Sequence, residues 1–264
     1  MNRIANAFKN KKAFITFITG GDPDIATTKE LILAMAEAGA DMVEIGIPFS
    51  DPIAEGPVIQ GADERALKAG CTVDMLFEMV KELRPQLDIP LLFLTYVNPI
   101  FAYGAGGVEK FMDRCVECGI DGLIVPDLPF EERGEIADIC EKKGIKQIFL
   151  IAPTSRERIA DIAREADGFL YCVSSLGVTG MRSEITTDVG EMIRQVKKVS
   201  NVPCAIGFGI SGPRQAKEMA AVSDGVIIGS AIVKLVEEYG TESVQPVSEF
   251  VRRVKEAICG VQGF

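Results

Sequence analysis

Eight continuous apolar runs, the amphipathic stretches between them, and a repeat of about thirty residues predict an α/β fold: one (β/α)8 TIM barrel over residues 1–264, with an extra N-terminal helix. The runs are continuous rather than alternating, as parallel strands covered on both faces require. No linker, charge block or low-complexity segment interrupts the series, so the chain reads as a single domain.

In chain order, residues 2–9 form a short amphipathic piece with Ile4, Ala5 and Phe8 apolar, placed to plug the open N-terminal end of the barrel. AFITFITGGDP (13–23) is the first strand with its turn. Thr27 to Ala38 sets Leu31, Met35 and Ala38 on one helical face and ends at Gly39. EAGADMVEIGIP (37–48) brings the second strand, and Val73 to Leu83 a helix with Leu76, Phe77, Val80 and Leu83 together, stopping before Pro85. IPLLFLTYVNP (89–99) and ECGIDGLIVPDLP (117–129) bring the third and fourth strands. A helix over Glu131–Lys143 leads into EKKGIKQIFLIAP (141–153), and EADGFLYCVSS (165–175), NVPCAIGFGIS (201–211) and AVSDGVIIGSA (221–231) complete the set.

Composition excludes several functions. The chain has no histidine, which removes Ser-His-Asp and Cys-His catalysis and most zinc sites. Its 38 acidic against 28 basic side chains, net −10, disfavour nucleic acid or an anionic membrane as partner. The apolar run Ala13–Ile18 is too short for a signal sequence, and nowhere do enough apolar residues adjoin to span a bilayer. Seven scattered cysteines suggest reduced thiols in a cytoplasmic protein. Cys115 and Cys118 form a C-x-x-C at a helix end; with no second pair, helix packing is the better reading than a metal or redox site.

In a barrel, chemistry sits where strands end and the following loops begin. GFGISG (207–212), with Gly229-Ser230 after the next run, offers two adjacent anion-binding turns. The same glycines spell G-x-G-x-x-G, but a dinucleotide fold needs an acidic residue ending the next strand, and that strand ends in Gly229-Ser230. Two ligand-free turns are the plainer alternative. Glu44 lies inside an apolar strand, where a carboxylate is costly unless paired or used. It shares its parity with Met42, so it lines the barrel interior; a structural carboxylate bonded to backbone or a tyrosine is the alternative. The loops at 47–62, with Asp51 and Glu55, and at 174–185 read as lids. No strand-end lysine is present for Schiff-base chemistry, and Glu44, Asp51, Glu55 and Asp127 match a metal site poorly.

VEIGIPFSDPIAEGPVIQ (43–60), followed in order by TYVNPI, YCVSSLGVTG, GFGIS and GSAIV, resembles the tryptophan synthase α chain family along essentially the whole chain. The resemblance implies a lyase that splits indole-3-glycerol phosphate into indole and glyceraldehyde 3-phosphate. It also implies a β chain, in an α2β2 tetramer, that carries pyridoxal phosphate and joins indole to serine; no cofactor is expected in this chain. Glu44 corresponds to the family's proton-shuttling glutamate. Glu55 falls where the family usually has an aspartate holding the indole N–H. Tyr171 corresponds to the tyrosine touching both Glu44 and substrate, and Thr179 to the lid threonine. Gly180, Gly209, Gly229 and Ser230 correspond to the phosphate cradle; Phe17, Leu94, Ile124, Ile151 and Phe208 form the expected indole slot. Partner contacts are expected on the active face, including loop 47–62. Two other readings stand beside this: a regulatory subunit without chemistry, favoured by the Glu55 departure, and another phosphate-binding barrel such as indole-glycerol-phosphate synthase or phosphoribosylanthranilate isomerase, for which Cys172 is the sole strand-end nucleophile.

Overall fold

Each of the eight apolar runs forms a parallel strand, and the eight pair in sequence order into a closed barrel, β8 returning to β1. A computed structural model describes residues 2–155, 157–173, 189–207 and 209–261. The strands are β1 (Ala13–Thr19), β2 (Met42–Gly46), β3 (Leu91–Leu94), β4 (Gly122–Ile124), β5 (Lys146–Ile151), β6 (Leu170–Val173), β7 (Cys204–Gly207) and β8 (Gly225–Ile228). The helices are α1 (Arg3–Ala7), α2 (Ile25–Glu37), α3 (Pro57–Lys68), α4 (Val73–Leu83), α5 (Val97–Phe101), α6 (Gly107–Cys118), α7 (Gly134–Lys143), α8 (Ile159–Glu165), α9 (Val189–Lys197), α10 (Pro213–Ala221), α11 (Ser230–Tyr239) and α12 (Val244–Ile258).

Strand parity divides the apolar residues into two cores. Ile15, Met42, Leu92, Ile124, Ile148, Tyr171, Ala205 and Ile227 fill the barrel interior. Their neighbours Phe14, Val43, Phe93, Leu123, Cys172 and Ile228 face the helices. Short α1 closes the N-terminal end, as the sequence suggests, through Ile4 and Ala7 with Phe8 against the inner core. Ala5, expected on that face, is exposed, because one helical turn from Ile4 reaches positions 7 and 8 rather than 5.

At that same end an aspartate precedes three strands and clips its neighbour. Asp41 accepts from Phe14 N–H at 2.8 Å, Asp121 from Leu91 N–H at 3.0 Å and Asp224 from Cys204 N–H at 2.8 Å. Each carboxylate also meets cations: Lys11 and Lys255 at Asp41, Arg3 and Arg84 at Asp121, Lys197 at Asp224.

Two boundaries differ from the sequence reading. The stretch expected as a loop over 47–62 is already helical from Pro57: proline at the first helical position, after the extended Gly56, starts α3 early. The helix expected from Glu131 begins as a single 3-10 turn at Phe130–Glu132 and becomes α-helical only from Gly134, ending at Gly144 as expected. Cys115 and Cys118 are both buried on α6 among packed apolar side chains, and all seven cysteines are free.

Candidate active site

A cavity of about 260 Å³ opens at the C-terminal end of the barrel. Phe17, Leu94, Leu150, Tyr171, Val173 and Ile227 form its apolar walls, Pro126, Ala152 and Ile59 its rim, and Glu44 and Glu55 are the carboxylic acids that reach it. Gly209, Gly229 and Ser230 line it from the loops that follow β7 and β8.

Glu44 stands mid-strand between Phe17 of β1 and Leu92 of β3. It is fully buried, and neither carboxyl oxygen has a hydrogen-bond partner among the described residues. Burial alone therefore pushes it up from 4.5 to about 8, so the neutral acid is its resting form. Tyr171, paired in register with Leu150 and Ala205, lies deep beside it. Burial and the neighbouring Glu44 push its phenol well above the usual range, keeping the hydroxyl a donor. Gly207 is required here by close approach: a Cβ on it would stand 2.4 Å from the Tyr171 hydroxyl oxygen.

Glu55 reaches the cavity from the loop ahead of α3. Its carboxylate accepts from the Tyr96 hydroxyl, which in turn accepts from Ala54 N–H at 2.9 Å, and its carbonyl accepts from the Gln60 side chain at 2.8 Å. Phe49 packs on the Tyr96 ring at 5.2 Å between centroids. Burial raises Glu55 to about 7, against its own and Ala54's backbone N–H groups, with Asp127 adding to the rise. Two acids of one cavity are thus set apart, one neutral and one half-charged near pH 7.

Two helix starts stand beside the cavity. Gly229 precedes α11 with Ser230 as its first helical residue, and Gly212 precedes α10. Among the described residues neither helix start carries a side-chain cap, and the two stand on adjacent loops. A Cβ on Gly229 would stand 3.0 Å from the Phe17 ring, so a side chain there would crowd that ring.

Of the residues expected from the sequence, Glu44, Glu55, Tyr171, Phe17, Leu94, Gly209, Gly229 and Ser230 come together here. Ile151 does not: it belongs to the shell between strands and helices, and the parity of β5 hands the wall to Leu150 and Ala152 instead. Ile124 lies in the inner core beneath the cavity, and Pro126, two residues on, takes its place at the rim. Thr179, Gly180 and Phe208 lie outside the described residues. Cys172, the candidate nucleophile of the alternative barrels, faces the helices and is excluded from the cavity by the same parity. Among the described residues no cluster of His, Cys, Asp or Glu is arranged to hold a metal, and no helix is long and apolar enough to cross a membrane. Tyr96, placed by the sequence at a strand end, and Asp63 are polar groups to which the sequence reading gave no role. Tyr96 carries no signal beyond its strand-end position, whereas Asp63 is an acid on the inward face of α3, where Ile59, Ala62 and Ala66 are buried.

The family model described as tryptophan synthase alpha chain matches residues 4–259. The tryptophan synthase alpha chain of Caldanaerobacter subterraneus is 48% identical over 98% of this chain and 100% of its own length, and that of Lacticaseibacillus casei 47% identical over 98% and 96%. Among solved structures, tryptophan synthase of Mycobacterium tuberculosis superposes with a TM-score of 0.87 at 32% identity, covering 97% of this chain and 98% of that one. The Pyrococcus furiosus tryptophan synthase complex gives 0.84 at 36%, covering 92% and 98%. The chain belongs to the tryptophan synthase alpha chain family, lyases that cleave indole-3-glycerol phosphate and pass the indole to a β chain.

Proposed function

We propose that Glu44 is the proton carrier of the cleavage, Glu55 the acceptor of the indole N–H, and the Gly209, Gly229 and Ser230 backbone, with the undescribed Gly180, the phosphate cradle. The observation that carries this reading is Glu44 itself: a buried acid at the cavity wall with both oxygens unpartnered among the described residues and its proton retained at neutral pH.

The indole ring lies between Phe17, Leu94 and Leu150, with the glycerol phosphate running toward the β7 and β8 loops. Neutral Glu44 delivers its proton to indole C3, and positive charge develops at the ring nitrogen. Glu55, ionised and aimed by the Tyr96 hydroxyl, holds that N–H and stabilises the charge. Glu44, now a carboxylate, takes the proton of the hydroxyl on the carbon attached to C3. The C–C bond breaks, its electrons restore the aromatic ring, and the aldehyde forms. Glu44 ends with its proton and Glu55 with its charge, so the cycle closes without a cofactor in this chain. The arm of Glu55 is one methylene longer than the family's usual aspartate, and its bond to Tyr96 is what takes up the extra reach.

A chain of net charge −10 cannot draw a phosphate ester by its overall field, so the cradle must act locally through N–H groups and helix ends. Indole leaves toward the face that carries the exposed Ile53 and Asp51, where a β chain in an α2β2 tetramer docks. That chain carries pyridoxal phosphate, and the complex works in the cytoplasm. Mixing the purified chain with indole-3-glycerol phosphate, with and without β chain, tests the reading. Release of indole and glyceraldehyde 3-phosphate in equal amounts is expected; no release in either arm would leave only a regulatory subunit.

A further inference from the structure

Behind the cavity that holds Glu44 lies a second one of about 320 Å³, at the lower end of the ~300–1,000 Å³ that small-molecule sites occupy. Its origin is the shortness of β4. Pairing with β5 stops at Ile124 and Ile148, while β5 itself runs on to Ile151. The Val125 carbonyl, next in line, accepts instead from Leu128 N–H at 3.2 Å. The chain ahead of α7 therefore leaves β5, and the gap opens toward α8. Leu128, Phe130, Phe149 and Ile162 wall it, the two rings edge to face at 5.3 Å between centroids. Pro126 and Leu150 line both cavities, so the two stand back to back across them.

Most polar groups that line this second cavity are already engaged. Asp127 accepts from Val97 N–H at 3.0 and 3.2 Å, and the Ser155 hydroxyl accepts from Ala152 N–H at 3.2 Å. Arg158, the one cation among the described lining residues, donates to both carboxylate oxygens of Glu131 at 2.8 and 3.0 Å. Gln147 differs. Two-residue alternation along β5 turns it outward with Phe149, opposite to Ile148 and Leu150. Its side-chain oxygen is buried and has no hydrogen-bond partner among the described residues. A buried acceptor left unpaired is costly, and a ligand that donates to it recovers that cost. We propose that this cavity is a binding site for a small neutral aromatic molecule with an N–H donor, the class to which the reaction's own indole belongs. The ring lies against Phe130 and Phe149, and its N–H donates to Gln147 Oε1. With its one cation committed to Glu131, the site has nothing to hold a phosphate, so it takes the product and not the substrate. Neither Glu44 nor Glu55 lines it, so the site is independent of which residues carry the cleavage.

The test is titration of the purified chain with indole, followed in the methyl NMR signals of Leu128 and Ile162 for this cavity and of Leu94 and Ile227 for the first. Saturable shifts at Leu128 and Ile162 are expected. Gln147→Leu keeps the bulk of the side chain and loses the acceptor, so the Kd read at those two residues should rise about tenfold. The response at Leu94 and Ile227 and the rate of cleavage should stay as in the wild type. Shifts confined to Leu94 and Ile227, or none anywhere, overturn the proposal, and the wild-type titration alone decides this should the variant fail to fold. A Gln147→Leu chain that binds indole at Leu128 and Ile162 as tightly as the wild type overturns it as well. Loss of cleavage in a folded variant would make the second cavity part of the first, and a separate site would fall. A wild-type chain that shifts Leu128 and Ile162 yet releases no indole from its substrate upholds this site and overturns the catalytic assignment instead.

Discussion

Replacing Glu44 by glutamine separates what this side chain does for the reaction from what it does to the fold. The carboxyl is fully buried without a partner among the described residues, and burial raises it to about 8 in the folded chain from 4.5 in an unfolded one. Because the folded form binds its proton more tightly, native stability is full below pH 4.5, declines as pH rises, and the loss is complete once the folded group has ionised above about 8. At about 1.4 kcal/mol per pH step between those limits, the penalty reaches about 3 kcal/mol at pH 7 and at most about 5 kcal/mol above pH 8. Glutamine has nearly the same shape and no charge at any pH, so Glu44→Gln escapes this penalty entirely. The other buried acids titrate in both proteins and largely cancel. Urea or thermal unfolding from pH 5.5 to 8, clear of the isoelectric point near 4.8, measures the difference. The variant should gain on the wild type by up to about 3 kcal/mol across that range, an advance of about 6 to 12 °C in Tm. The same substitution removes the proton that C3 receives, so indole release should fall by at least about 100-fold. A dead enzyme that grows comparatively more stable with pH is the signature. Parallel stability curves would mean that Glu44 is charged and partnered at neutral pH, and near-normal turnover would move proton transfer to another group.

Three further substitutions probe the frame around that acid. Gly207→Ala places a methyl 2.4 Å from the Tyr171 hydroxyl oxygen. Overpacking of this kind costs about 1–3 kcal/mol, and the displaced tyrosine should lower kcat at least about tenfold; unchanged kcat would detach Tyr171 from the chemistry. Gly229→Ala crowds the Phe17 ring at 3.0 Å beside the α11 N-terminus, and overpacking of this wall should raise KM for indole-3-glycerol phosphate about tenfold. An unaltered KM would place the substrate away from this wall. Asp41→Ala, at the opposite end of the barrel, strips a buried acceptor from Phe14 N–H and a counter-charge from Lys11 and Lys255. The expected loss is about 3 kcal/mol in urea unfolding with KM unmoved; a change in KM without loss of stability would contradict a purely structural clip.

Strand order and the inward position of Glu44 were legible because both follow from periodicity. A continuous apolar run must be covered on both faces, and two-residue alternation assigns Met42 and Glu44 to one face and Val43 and Ile45 to the other. The glycines at 207, 209 and 229 were legible as a strand-end pattern, although why Gly207 admits no Cβ depends on where Tyr171 crosses to it. Ile151 shows the limit. It lies in an apolar run of the right kind, yet a shift of one residue in register moves the cavity wall to Leu150. Tyr96 could not be read as a partner of Glu55, because the bond between them spans a separation of 41 residues, and Asp63 was legible only as an acid on the buried face of a helix.

By itself the sequence determined an eightfold βα repeat, the absence of histidine from any chemistry the chain performs, an acid inside an apolar strand, and a pair of glycine-rich turns near the end of the chain. Those are properties of residue type and local spacing, which act before any distant part of the chain arrives. Only closure of the barrel decided which acids are charged. Burial strips water from Glu44, Glu55 and Asp63 and raises all three above the usual carboxylate range. Solvation is set by what surrounds a group in three dimensions, so the raised proton affinity of these carboxyl groups exists only in the folded barrel.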